Sequence, residues 1–121
     1  MKYAVLIYSQ EVPADQVSPE EWAQVMSDYN AYNALLKEKG VNGDGGEALH
    51  ETNTAKSVRV KNGQTQVTDG PFAETKEALG GFYILDVKDM DEAVAYAAKC
   101  PGAKNGTIEV RPIIDFSAQP G

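Results

Sequence analysis

The two sides of the first strand constrain the fold more than any other feature. Residues 2 to 8, KYAVLIY, form a β-rich run, and successive side chains on a strand point to opposite sides of its sheet. Tyr3, Val5 and Ile7 therefore share one side, and Ala4, Leu6 and Tyr8 share the other. A strand with one wet side alternates apolar with polar residues, and this one does not. Residues 81 to 87, GFYILDV, repeat the pattern, with Phe82 and Ile84 on one side and Tyr83, Leu85 and Val87 on the other. A sheet built from these strands needs a cover on both sides.

The remaining segments supply one cover. Ser18 is a helix cap, Pro19 suits the first helical position, and Glu21 completes a capping box. Trp22, Val25, Met26, Tyr29, Tyr32 and Leu36 then recur at three- and four-residue steps, the buried face of a helix that stops at Gly40. A glycine-rich loop follows, then a short strand around Glu47 to Glu51. Val58 to Lys61 and Gln64 to Thr68 flank Asn62-Gly63, a strong hairpin signal. A two-residue turn pairs Lys61 with Gln64, Val60 with Thr65 and Val58 with Val67. Val58, Val60, Thr65 and Val67 then share one side, and the hairpin is expected to be half buried. Residues 69 to 77 read as a turn and loop, with a helical turn over Ala73 to Ala78. Asp89 caps a second helix whose apolar face is Met90, Ala93, Val94 and Ala97, ended by Pro101-Gly102. Thr107 to Ile114 is the last strand, and Asp115 to Gly121 a loose tail. Without the hairpin the order is βαββαβ. That is a ferredoxin-like α+β sandwich, with both helices on one side of an antiparallel sheet.

Two helices cover one side only. Several hundred Å² of apolar surface on the other side are worth on the order of 10 kcal/mol at ~25 cal/mol per Å², before the costs of association. Such a patch is unusual on a monomer. A twofold homodimer, sheet against sheet, is the expected remedy; the alternative is that the hairpin folds across the face within one chain. The 121 residues suit one domain. Eleven Lys and Arg against eighteen Asp and Glu give a net charge of −7, which disfavours direct nucleic-acid or membrane binding. The single cysteine, Cys100, rules out an internal disulfide and fits a reducing compartment. No apolar run approaches the ~20 residues of a membrane span, and the opening lacks a signal-peptide cleavage pattern. A cytoplasmic location is expected.

The run Asp69-Gly70-Pro71-Phe72-Ala73-Glu74-Thr75-Lys76-Glu77, followed by Leu79-Gly80-Gly81-Phe82-Tyr83, resembles the signature of the DGPF group of YCII-related proteins. The opening MKYAVLIY, Gly45-Gly46-Glu47-Ala48-Leu49, Asp91-Glu92-Ala93, Cys100-Pro101-Gly102 and Ile108-Glu109-Val110-Arg111-Pro112 extend the resemblance over nearly the whole chain. It implies one domain over residues 1–121 and a dimeric ferredoxin-like α/β barrel. It implies no particular reaction. Some members are encoded beside extracytoplasmic-function sigma factors, which suggests a regulatory connection. The wider family resembles an enzyme chiefly through a first-helix histidine, proposed to work with an aspartate. Between Pro19 and Lys39 there is no histidine. Tyr29 stands near that place, and a phenol of reference pKa ~10 is no substitute base near pH 7.

Asp69 is the leading candidate for a catalytic residue, because Gly70-Pro71 forces an extended or turned backbone that holds its carboxylate at a cleft edge. The competing role is a turn cap on the backbone N–H groups of its own loop. Tyr29, Tyr32, Phe72 and Arg111 are the expected ligand-binding companions. Arg111 suits a carboxylate or phosphate, or else a salt bridge to Asp86 or to Glu109 of a second subunit. Phe72 competes as a plug for the core edge. Glu74, Lys76 and Glu77 could bind a zwitterion, although such charges are more often a solvated surface. His50, flanked by Glu47 and Glu51, lacks ligand spacing, so no metal site is expected. Cys100 follows a helix C-terminus, where a reactive thiolate is disfavoured. No cofactor motif is present. The leading expectation is a homodimer that binds a small molecule, with cofactor-independent acid/base chemistry through Asp69 and a hydrogen bond from Tyr29 or Tyr32. The other is a regulatory protein that presents an acidic surface to a sigma factor.

Overall fold

A computed structural model describes residues 1–118. The chain runs β1 (Lys2–Ser9), α1 (Pro19–Glu38), β2 (Gly45–Ala48), β3 (Lys56–Lys61), β4 (Gln64–Asp69), β5 (Ala78–Asp86), α2 (Met90–Ala97) and β6 (Thr107–Pro112), with single 3-10 turns between several of them. Four strands form one antiparallel sheet in the order β2-β5-β1-β6, and β3 and β4 form a separate two-stranded ribbon. Two helices on this sheet are compatible with a ferredoxin-like fold.

Tyr3, Val5 and Ile7 of β1 and Leu85 of β5 meet Tyr32 and Leu36 of α1 and Ala93 and Ala97 of α2 in one core. Both helices thus sit on one side. Pairing of Ala4 with Ile84 and Leu6 with Phe82 puts these residues on the opposite side, where each remains partly exposed. The register slips between Ile7 and Tyr8, and the bulge turns Leu79 towards the Tyr8 side.

The helix starts follow the expected chemistry. Ser18 Oγ accepts from the Glu21 N–H (3.1 Å), and Asp89 Oδ1 accepts from the Glu92 N–H (2.9 Å). α1, at 20 residues, spans about 30 Å, and only its C-terminal half is packed. Trp22, Val25 and Met26 are exposed, a correction to the continuous buried face read from their spacing.

The ribbon pairs as expected: Val58 with Val67, Val60 with Thr65, Lys61 with Gln64. Asn62 (φ 52°) and Gly63 (φ 77°) supply the left-handed turn that matches strand twist. It is not half buried. Val58, Val60 and Val67 are 61%, 70% and 57% exposed, because none of the described residues packs over them. For the same reason the ribbon does not roof the second side of the sheet.

Other boundaries moved. β2 lies earlier than Glu47 to Glu51, and His50 and Glu51 fall outside any strand. β5 begins at Ala78, so the helical turn over Ala73 to Ala78 does not form; the Thr75 hydroxyl instead donates to the Glu77 carbonyl, a local alternative to helix. β6 ends at Pro112, whose missing N–H suits the end of an edge strand. The expected loose tail contains a 3-10 turn at Phe116–Ala118, and its last three residues lie outside the described residues.

Candidate functional site

The β1 and β2 strands run the same way, since both pair antiparallel with β5. Their C-terminal ends therefore lie at one end of the sheet, where loops and the ribbon root converge. A cavity of about 610 Å³ opens there. Glu11 comes from the loop after β1, Thr52 and Asn53 from a 3-10 turn, and Asp69 from the last position of β4. Gly70, Pro71, Ala73, Glu74 and Thr75 form the wall that leads to Ala78.

Hydrogen bonds fix this wall. The Gly70 N–H donates to the Ala55 carbonyl (2.7 Å), and the Ser57 hydroxyl donates to the Gly70 carbonyl (2.8 Å). Gly70 has φ +92°, a conformation open to glycine and strained for other residues. On the facing wall, Glu11 accepts from the Thr52 N–H (3.2 Å) and from the Thr52 hydroxyl (2.5 Å). Glu77, just beyond, accepts from the Thr107 hydroxyl (2.8 Å). Carboxylates, hydroxyls and one amide line the cavity. Such a lining attracts hydrogen-bond donors and positive charge.

Asp69 lies at this cavity, and its side chain is 87% exposed. Its carboxylate pairs with the Lys56 ammonium across the ribbon. The expected turn cap is thus replaced by an ion pair to a neighbouring strand. Phe72, one of the expected ligand-binding companions, belongs to the same loop but is 83% exposed and does not line this cavity, and it does not plug the core edge as the competing reading had it.

The other expected companions lie elsewhere in this chain. Tyr32 is buried beneath α1, donates to the Tyr96 carbonyl (3.0 Å) and meets Tyr83 edge-on, with ring centroids 5.3 Å apart. Tyr83 donates to Asn33 Oδ1 (2.6 Å). Tyr29 lies against Cys100 and Gly102, and burial pushes its phenol up, as it does that of Tyr32. Burial also pushes Tyr83 up to about 12. Cys100 is buried, and desolvation rather than helix-end position is the first cause of its raised thiol pKa. Arg111 sits on the other side of the sheet, paired with Ala4 in register. Its guanidinium holds both carboxylate oxygens of Glu109 in its own chain (3.0 and 3.3 Å), so within this chain its partner is Glu109 rather than Asp86. That contact holds the Glu109 carboxyl below the usual carboxylate range.

Glu11, Thr52 and Asn53 were not evident from the sequence. They come from two polar loops separated by forty residues of chain or more, and no local pattern announces that these loops meet. Glu74 lines the cavity, whereas Lys76 is exposed outside it. Among the described residues no group of three or more His, Cys, Asp or Glu side chains is arranged to hold a metal ion. No helix among them is long and apolar enough to cross a membrane.

The model of the YCII-related domain matches residues 1–117. An uncharacterized protein of Rhizobium meliloti (strain 1021) is 42% identical to the chain over 115 residues, which covers 93% of this chain and 92% of that protein.

Proposed function

The chain belongs to the YCII-related domain family, and from that premise we propose that it is a homodimer that binds a small, donor-rich or cationic molecule in the cavity beside Asp69. Within the family we place it in the DGPF group, on the run from Asp69 to Glu77. The observation that carries the binding proposal is the convergence of Asp69, Glu11, Thr52 and Asn53 on one cavity of about 610 Å³, a volume suited to a metabolite.

Asp69 reaches a ligand by exchanging partners. An exposed ion pair such as that with Lys56 is worth about 0–1 kcal/mol, so a cationic group in the cavity displaces the ammonium at little cost. The freed carboxylate can then orient that group or accept a proton from it. Dimerisation is supported by the second side of the sheet, where Leu6, Phe82 and Ile84 are left without a helix.

A thermal-shift screen of small amines and hydroxylated metabolites, run on wild type and Asp69→Asn, tests the cavity. The expected result is a stabilising ligand whose shift is lost in Asp69→Asn. No hit, together with recovery of a sigma factor from a pull-down, favours the regulatory role instead. Sedimentation at low micromolar concentration tests assembly: the homodimer predicts twice 13.0 kDa, and a clean single-chain species refutes it.

A further inference from the structure

Two apolar features of this chain lack partners among the described residues. The first is the ribbon, whose Val58, Val60 and Val67 are 61%, 70% and 57% exposed on one side. A two-stranded hairpin is marginal when nothing packs on it. The second is the N-terminal half of α1, where Trp22, Val25 and Met26 form a stripe 59%, 42% and 45% exposed.

Their charges are complementary as well. Lys56, Arg59 and Lys61 stand against Asp69 alone in residues 56–69, so the ribbon carries +2 while the rest of the chain carries −9 within the total of −7. From residue 19 to residue 36 the helix has Glu20, Glu21 and Asp28 and no base. Glu21 and Asp28 fall along the flank of the apolar stripe at 3.6 residues per turn. Arg59 and Lys61 point away from the valine side, but long basic side chains extend past a ribbon edge while their stems stay packed.

We propose that the β3–β4 ribbon is an exchanged arm: its valine side packs on the Trp22, Val25 and Met26 stripe of a second copy of this chain. This rests on the homodimer proposed above and specifies how it closes. Six extended residues reach about 20 Å, the depth of two packing layers of about 10 Å each. The arm can therefore leave one sheet and reach the helix layer of the facing copy. The ribbon root and the start of α1 lie at the same end of the sheet, so a twofold axis along the strands brings each arm to the other copy's helix. The arm root, Asp69 to Pro71, is also a wall of the cavity. Seating the arm on the partner adds a second restraint to that wall and so ties the ligand site to assembly.

Trp22 is the chain's one tryptophan and reports the contact directly. In the wild type its emission shifts to the blue and its quenching by acrylamide falls as the protein is concentrated, in parallel with dimer formation in sedimentation. Val58→Asp/Val60→Asp removes both changes and weakens the dimer by about tenfold or more. These exposed positions tolerate aspartate in the folded chain, which circular dichroism checks. A dimer whose Trp22 stays open to quencher overturns the arm and leaves the homodimer standing. A single-chain species at all concentrations overturns both. Shielding of Trp22 that persists in Val58→Asp/Val60→Asp, or that is independent of concentration, also overturns the arm, because something other than the partner's ribbon then covers the helix.

Discussion

Asp69 and Gly70 are adjacent yet contribute to the molecule by different physics. The Asp69 side chain is 87% exposed and its partner is a lysine that is itself 66% exposed, so Asp69→Asn is expected to change unfolding free energy by less than about 1 kcal/mol. On the proposed function its effect falls on ligand affinity at the cavity. Gly70 holds φ +92° with nothing within 4 Å of the site a methyl group would occupy. Gly70→Ala therefore meets no clash, and its expected cost of about 1–2 kcal/mol is the strain of left-handed backbone. Urea unfolding of the two variants separates them: a small change for Asp69→Asn, a clear loss for Gly70→Ala. Equal losses would contradict this division. In the core the scale is larger. Leu36 is 1% exposed, and Leu36→Ala is expected to cost about 2–5 kcal/mol by the same measurement.

Among the elements, α1 shows what sequence can and cannot convey. Its start was legible, because the Ser18 cap depends on atoms three residues apart. Ser18→Ala should cost about 1 kcal/mol of unfolding free energy, and an unchanged denaturation midpoint would deny the cap its role. Its periodicity was legible too, but a periodic face does not state what covers it. Tyr32 and Leu36 reach the core, while Trp22 and Met26 stay exposed outside it. The ribbon follows the same rule. Asn62-Gly63 dictates its turn and register locally, whereas burial of its valines depends on a surface outside the element. The four-stranded order could be inferred from the βαββαβ sequence of elements, since short connections and two-sided apolar strands leave few arrangements. The cavity was legible only at Asp69, where an Asp-Gly-Pro turn marks one wall. Glu11, Thr52 and Asn53 join it through tertiary convergence. Tyr29 and Tyr32 were expected at the same place because helix spacing fixes a face and not the end of the sheet it overlies.

At the scale of the whole molecule, α1, β5 and the segment after α2 bring three partly or fully buried phenols up to the Cys100 thiol, and this cluster should make the fold less stable at high pH. Tyr29, Tyr32 and Tyr83 are each held protonated first by desolvation and then by proximity to Cys100. Tyr83 moves from 10.0 to about 12. A raised phenol pKa means that the folded chain keeps protons the unfolded chain has already released. The contribution to stability is complete below pH ~10, where both states are protonated, and falls as pH rises through the folded value. Unfolding free energy should thus decline between pH ~10 and ~12. Tyrosinate absorbance should rise steeply with the loss of tertiary circular dichroism, because ionisation and opening of the cluster are coupled. Tyr83→Phe removes one linked proton at the loss of a hydrogen bond to Asn33 worth about 0.5–1.5 kcal/mol. The variant should be less stable at neutral pH and show a shallower decline above pH ~10. A Tyr83→Phe curve parallel to wild type throughout that window would show that Tyr83 does not take part in the alkaline transition.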